Sequence, residues 1–496
     1  MHFDVSTDDL RGRVLRGGVT RVTAQGVLFV TRLGSVVVLA RLLDPSEFGL
    51  VNMVTVFTGL IGLFRDAGLS MLTVQRPTIS HEQLSALFWV NVLVGAALMA
   101  VCAAVSPAIA AFYGEPRLLA VALALSAGFL VSGAAVQPAA LLNRHMRFTA
   151  MAAAEVIACA VGLCLGIVLA ALGWSYWALV GMNLSQSIAF CLAVWAVARW
   201  LPSRPRRGVG MTSMMRFGGA VSANSFLMYL AYNTDKLLLG RVAGAEALGV
   251  YGRAYALVNV PTQVLDQAIS SVAISALSRL QGDDERFRNY FLKGYALFAA
   301  IMVPIGVACM LFADDVVLVL LGSKWTTVAP LFRSLAPTVV AIALVNPIGW
   351  LLFATARVGR AVRMALVIAL VLVASYSSGL PYGPQGVAVG FSVAMAALVV
   401  PLIVWGLHDS GVPLGEVARA LRAPVLATLA AVSIGLAAGW WLTAAPWPFA
   451  RLAMEGTVFS GTYLLVLLYP LRQKPFYVAL LREIGLRRSG VTPGHS

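Results

Sequence analysis

Along this chain the polar positions are the exceptions: stretches of apolar residues follow one another almost from end to end, separated by short polar breaks. The hydrocarbon core of a bilayer is about 30 Å thick and takes roughly 20 apolar residues of helix to cross. Fourteen such spans are predicted, at 18–43, 48–72, 83–108, 117–141, 150–172, 174–199, 213–239, 246–276, 289–312, 328–353, 361–378, 384–408, 421–444 and 451–471. Continuous runs such as LVVPLIVW lack the in-and-out alternation of barrel strands, so the spans read as helices. The expected fold class is an all-α polytopic membrane protein.

Composition strengthens that reading. Of 496 residues, 60% are hydrophobic and only 11% charged, with a mean hydropathy of +0.85. One water-soluble core would not hide that much apolar surface. No stretch reads as a separate soluble domain.

Charge sets the orientation, because cytoplasmic loops carry the excess of Lys and Arg. With the N-terminus inside, most of the 36 basic residues fall on the cytoplasmic side, and only Arg41, Arg117, Arg241, Lys324, Arg333 and Arg451 fall outside. Both termini are therefore expected in the cytoplasm. The net charge of +15 is spread over short loops facing anionic lipid, so no nucleic-acid partner is expected. MHFDVSTDDL shows no basic region followed by an apolar one, and the first span is expected to act as the insertion signal. The cysteines, Cys102, Cys159, Cys164, Cys191 and Cys309, have no paired or metal-type spacing. They read as small buried apolar residues.

The chain also repeats itself. Shifted by 200 positions, Arg16 lies over Arg216, Gly18 over Gly218, Leu39 over Leu239, Arg41 over Arg241, Gly49 over Gly249, Asp66 over Asp266 and Ser70 over Ser270. A weaker echo puts Gly173 over Gly383 and Ala178 over Ala388. Two parallel six-helix repeats follow: an N-lobe at 1–203, a C-lobe at 204–410, and two further helices with a basic tail at 411–496. In transporters of this build, substrate sites lie between the halves.

The stretch NTDKLLLGRVAGAEALGVYGRAYALVNVP at 233–261 resembles the span 7 to span 8 signature of Wzx-type polysaccharide repeat-unit flippases of the MOP superfamily, in the group of the colanic-acid exporters. LARLLDPSEFGLVNMVTVF, ALLNRHMRF, ALSRLQGDDERFRNYFLKG and LLGSKWTTVAPLFRSLAP agree with it, over roughly the first three quarters of the chain. The resemblance implies a two-lobed, fourteen-helix transporter rather than an enzyme. It implies a cargo of undecaprenyl-pyrophosphate-linked oligosaccharide, moved from the inner to the outer leaflet of the bacterial inner membrane for exopolysaccharide or O-antigen-type assembly. Membrane lipid and the pathway's polymerase and chain-length machinery are the implied partners, and no cofactor is implied.

Ionisable groups within spans usually face a bundle interior or a wet cavity. A lipid-linked pyrophosphate needs cations, and arginine offers bidentate donors to phosphate oxygens. Arg21, Arg32, Lys236 and Arg253 are the substrate-binding candidates. Asp235 and Arg253 fall at similar depth on adjacent helices, so Asp235 is expected to pair with Arg253 or with Arg32, as a gate or as a permanent structural ion pair. Asp66 and Asp266 are repeat-related acids that suit a coupling ion, or else helix capping or interface solvation. Glu155 reads as a carboxylate at the lipid interface, and Trp174, Tyr176, Trp177, Trp325, Trp440, Trp441 and Trp447 as an interfacial belt. Pro261 and Pro347 predict kinks.

No P-loop, zinc-helix motif or metal site is present in the sequence. Asp44 and Glu47 tempt an acid-pair reading as a membrane glycosyltransferase or polymerase, but the outer loops are short and Ser46 and Glu47 are expected to open the second span as a capped turn. Two further alternatives keep transport and change the cargo: a cation-coupled exporter, or a peptidoglycan-precursor flippase of the same superfamily.

Overall fold

The computed structural model describes residues 10–65, 70, 73, 79–203, 218–442, 447–475 and 477–478, with backbone alone at 10–24, 218–225, 260, 261, 264, 267, 268, 271 and 438–442. Helices account for nearly all of them, and no strand occurs among the described residues. Helix is the expected outcome in lipid, where every backbone N–H and C=O must be satisfied within its own segment.

In chain order the helices are α1 (Leu10–Leu42), α2 (Pro45–Gly62), α3 (His81–Tyr113), α4 (Arg117–Arg144), α5 (Phe148–Ala171), α6 (Trp177–Ala198) and α7 (Gly218–Arg279). They continue as α8 (Asp284–Leu311), α9 (Ala313–Leu320), α10 (Val328–Leu335), α11 (Pro337–Ala354), α12 (Val358–Gly379), α13 (Gly383–Leu407), α14 (Leu414–Leu442) and α15 (Pro448–Leu468). Among the described residues, ten stretches are long and apolar enough to cross a membrane, one of them, 358–407, holding both α12 and α13. Side chains such as Val30, Leu93, Leu192 and Val400 stand more than 60% exposed, a lipid-facing surface no soluble protein carries on this scale.

Local sequence explains the ends of these helices. Asp44 precedes Pro45, whose fixed φ suits the first helical position. The Asp44 N–H donates to Glu47 Oε2 at 2.7 Å, so the cap of α2 is Asp44 and not the expected Ser46. Glu47 also accepts from the Ser175 hydroxyl, which makes it a fastening between loops, not half of a catalytic acid pair. Ser80 caps α3 by accepting from the Gln83 N–H, a capping box.

Residues 213–239 and 246–276 were expected as two spans joined by a loop. The structure reduces that loop to one residue: α7 breaks only at Gly244, with φ 83° and ψ −176°, and runs through Pro261 without a further break. A positive φ is open to glycine at little steric penalty, so the two arms of α7 fold into a hairpin there.

Two compact units emerge, one of residues 1–256 with 362–390, the other of 257–361 with 391–496. In the first, α2 and the α7 hairpin approach so closely that a Cβ on Gly49 would lie 1.7 Å from the Ala245 carbonyl oxygen, and one on Gly249 1.7 Å from that of Pro45. These are positions 45 and 49 against 245 and 249, two reciprocal approaches at an offset of 200 residues. In the second unit α8 buries Phe291, Tyr295, Phe298 and Met302, spaced along one helical face. Trp325 is fully buried, so it is a core side chain and does not belong to the interfacial belt. Trp174 and Trp447 are 56% and 72% exposed. Cys164 is exposed while Cys102 and Cys159 are buried, and all five cysteines are free.

Candidate functional site

Most of the chemistry of the first unit gathers in two places. The first is a cavity of about 980 Å³ between α1, α2, α4, α5 and α6, lined by Arg32, Arg65, Asn143, Arg144, Glu155, Asn183, Gln186 and Ser187 among others. Arg32 reaches it from α1 and Arg65 from just beyond α2, both with exposed side chains. Arg144 is 8% exposed and donates from Nη1 to the Thr73 carbonyl at 2.8 Å. The cavity wall thus offers more cations than its carboxylate balances.

Glu155 therefore faces this cavity and not the lipid interface. Asn183, Gln186 and Ser187 share a face because residues three and four apart on a helix are neighbours. That polar stripe within an apolar span was a signal the sequence carried, whereas Arg65 fell in the predicted span 48–72 and Arg144 just past the span 117–141, with nothing to place either on a cavity.

The second place is the α7 hairpin. Asp235 is fully buried; its Oδ2 accepts from the Tyr251 hydroxyl at 2.7 Å and its Oδ1 from the Lys236 N–H at 2.7 Å. Lys236 Nζ donates to Asn233 Oδ1 at 2.9 Å and lies 4.2 Å from the centre of the Tyr255 ring. Arg253 stacks over Phe48, 4.1 Å from the ring centre, and its buried Nε has no hydrogen-bond partner among the described residues.

The expected pairing of Asp235 with Arg253 or Arg32 is not formed. Successive helical residues rotate by about 100°, so when Tyr251 faces Asp235, Arg253 two positions on faces away, toward α2. Tyr255, four positions on, shares the Tyr251 face, and the two rings stack 6.4 Å apart. Arg32 lines the cavity instead. Arg21 belongs to α1 with its side chain outside the described residues, and Asp66 lies outside them altogether.

In the second unit Asp266 Oδ1 accepts from Ser270 Oγ at 2.9 Å and from Asn346 Nδ2 at 3.0 Å. The Trp350 indole donates to Ser270 Oγ at 2.7 Å. Asp266 is half-buried among neutral donors, joining α7 to the Pro347-containing helix α11. No group of three or more His, Cys, Asp or Glu side chains placed to hold a metal occurs among the described residues.

A membrane bundle with a cation-lined interior has many relatives, and the comparison that decides among them is of sequence. Residues 38–330 match the profile of a family described as polysaccharide biosynthesis protein. This chain belongs to that family. Within the polysaccharide biosynthesis family, the lipopolysaccharide biosynthesis protein WzxC of Escherichia coli (strain K12) is 28% identical over 394 residues, 77% of this chain and 78% of that protein. Among solved structures, the lipid II flippase MurJ in its inward closed conformation aligns with a TM-score of 0.71 at 13% identity, over 94% of this chain and 100% of that one. An inward-facing multidrug resistance MATE transporter of the MOP superfamily aligns with a TM-score of 0.62 at 16% identity, over 79% and 98%. This member of the polysaccharide biosynthesis family is thus a multi-pass membrane protein with the fold of a MOP-superfamily transporter, not of an enzyme.

Proposed function

We propose that this protein flips undecaprenyl-pyrophosphate-linked oligosaccharide repeat units from the inner to the outer leaflet of the bacterial inner membrane, for assembly of an exopolysaccharide or O-antigen-type polymer. One observation carries the reading: a cavity of about 980 Å³ that brings Arg32, Arg65 and Arg144 together against Glu155. A pyrophosphate carries concentrated negative charge with oxygens matched to the planar guanidinium. A site for amphiphilic cationic drugs would call for the opposite balance.

In this reading Arg32 and Arg65 meet the pyrophosphate, with Arg21 at the entry. Lobes 1–203 and 204–410 alternate access, and 411–496 stands outside the repeat. The reciprocal approach of Gly49 and Gly249 supports two pseudo-equivalent copies. Asp235 with Tyr251, Lys236 and Arg253 forms the gating element, and Asp266 and Asp66 are the candidates for ion coupling. Both termini face the cytoplasm, where the chain works beside the polymerase and chain-length machinery.

The test is reconstitution in proteoliposomes with a fluorescent undecaprenyl-pyrophosphate oligosaccharide, following its arrival in the opposite leaflet. Arg32→Ala with Arg65→Ala is expected to lower transport at least tenfold while the purified variant keeps its melting temperature. Wild-type transport of cationic drugs with none of the lipid-linked sugar would replace this reading with the exporter.

A further inference from the structure

Among the described residues six other than glycine take a positive φ, and four of them fall into two pairs at an offset of 210 residues: Met146 with Ala356, and Arg199 with Asp409. Met146 and Ala356 follow their helices in the same way. The N–H of the next residue reaches back across the turn, from Arg147 to the Leu142 carbonyl at 2.9 Å and from Arg357 to that of Leu352 at 2.8 Å. This is the closing bond of a Schellman turn, whose left-handed position usually goes to glycine. Gly114 and Gly173 take that position after α3 and α5.

A methionine or alanine in that conformation carries strain, and it persists only where the surroundings over-determine it. At both turns the next residue is an arginine clipped to another helix end. Arg147 Nη1 donates to the Val197 carbonyl near the end of α6 at 3.1 Å. Arg357 Nη1 donates to the His408 carbonyl just beyond α13 at 3.1 Å and its Nη2 to that of Asp409, and Arg360 adds a further donor to the His408 carbonyl. The clip of the second unit is thus multiply bonded, whereas in the first one guanidinium bond fastens the turn. That first turn adjoins the cation-lined cavity: Asn143, Arg144, Met146 and Phe148 line it, and Arg147 does not.

We infer that Arg147 is a positioning residue for the cavity: by fastening its turn to α6 it holds Met146 left-handed, and so sets Asn143 and Arg144 on the wall, ready for an anionic headgroup. One hydrogen bond from an exposed guanidinium, set against a strained turn, leaves little in reserve. Without it Met146 relaxes to a negative φ, and the segment carrying Asn143 and Arg144 turns with it. Donors that must be ordered at the moment of binding bind less tightly than donors already in place. This role rests on the flippase reading above, which supplies the anion.

The experiment measures binding of undecaprenyl pyrophosphate to the full-length protein in nanodiscs. Arg147→Ala is expected to bind about tenfold more weakly than wild type, at an unchanged melting temperature. Adding Met146→Gly removes the strain that the clip offsets, so the double variant is expected to return to within about threefold of wild type. That rescue separates positioning from direct contact, since a glycine at 146 returns no charge to a phosphate. Wild-type affinity in Arg147→Ala, an equal loss in the single and double variants, or a fall in melting temperature that Met146→Gly does not recover overturns the positioning role alone. Failure of wild type to bind the carrier overturns the flippase reading, and this role with it.

Discussion

Asp235 shows what one buried side chain demands of its neighbours. A carboxylate with no exposure needs donors for its oxygens, and it takes them from the Tyr251 hydroxyl and the Lys236 amide. A hydrogen bond to a charged group contributes about 1.5–3 kcal/mol. Tyr251→Phe is therefore expected to destabilise the protein by about that much, read as a lower melting temperature of the detergent-purified variant, whereas Tyr382→Phe, at an exposed position, should leave it unchanged. The sequence marked Asp235, Lys236 and Arg253 as unusual because charge in an apolar run is conspicuous. It did not reveal Tyr251, since a tyrosine among apolar residues looks like any other aromatic, nor that Arg253 would turn to the ring of Phe48, far away along the chain.

Helices and their junctions carry a different kind of information. Gly244 has a φ of 83° and a ψ of −176°, a region essentially reserved for glycine, so Gly244→Ala should cost about 1–3 kcal/mol. Gly249→Ala meets the Pro45 carbonyl at 1.7 Å and forces α2 from the hairpin. The expected result, in a background with the native cysteines replaced, is increased labelling of a cysteine introduced at the buried Met53, relative to the same cysteine beside Gly249. Between α3 and α4, Arg117 donates to both carboxylate oxygens of Glu115 at 2.8 and 2.9 Å, which holds the Glu115 carboxyl below the usual carboxylate range. The stabilisation is present above the unfolded carboxyl's ordinary value and is lost as pH falls through the lowered folded one. The pair is partly exposed, 56% and 26% for the two side chains, so it contributes about 0–1 kcal/mol. Glu115→Gln should melt slightly below wild type at pH 7, the gap closing in acid. Span positions were legible because a run of apolar residues is a length requirement of the bilayer. The one-residue turn at Gly244 was not, because spans were separated by hydropathy and a tight hairpin needs no polar break.

For the molecule as a whole, the distribution of Lys and Arg predicts an orientation that a reporter can test. A cytoplasm-dependent fluorescent reporter fused after Ser496 should be active, and an export-dependent phosphatase inserted at Glu115 should be active too. The opposite pair of results would invert the topology, and with it the direction from which Arg32 and Arg65 are reached.

Composition and periodicity determined, without any structure, that this chain lives in a membrane and that it is helical. Those properties follow from the solvent and from local chain geometry, which act on each segment by itself. Tertiary structure alone decided that Arg32, Arg65, Arg144 and Glu155 share one cavity, that Asp235 belongs to Tyr251 and that Trp325 is core. Such pairings depend on the rotation of each helix about its axis, and that angle is set by packing against distant neighbours, which no hydropathy run encodes.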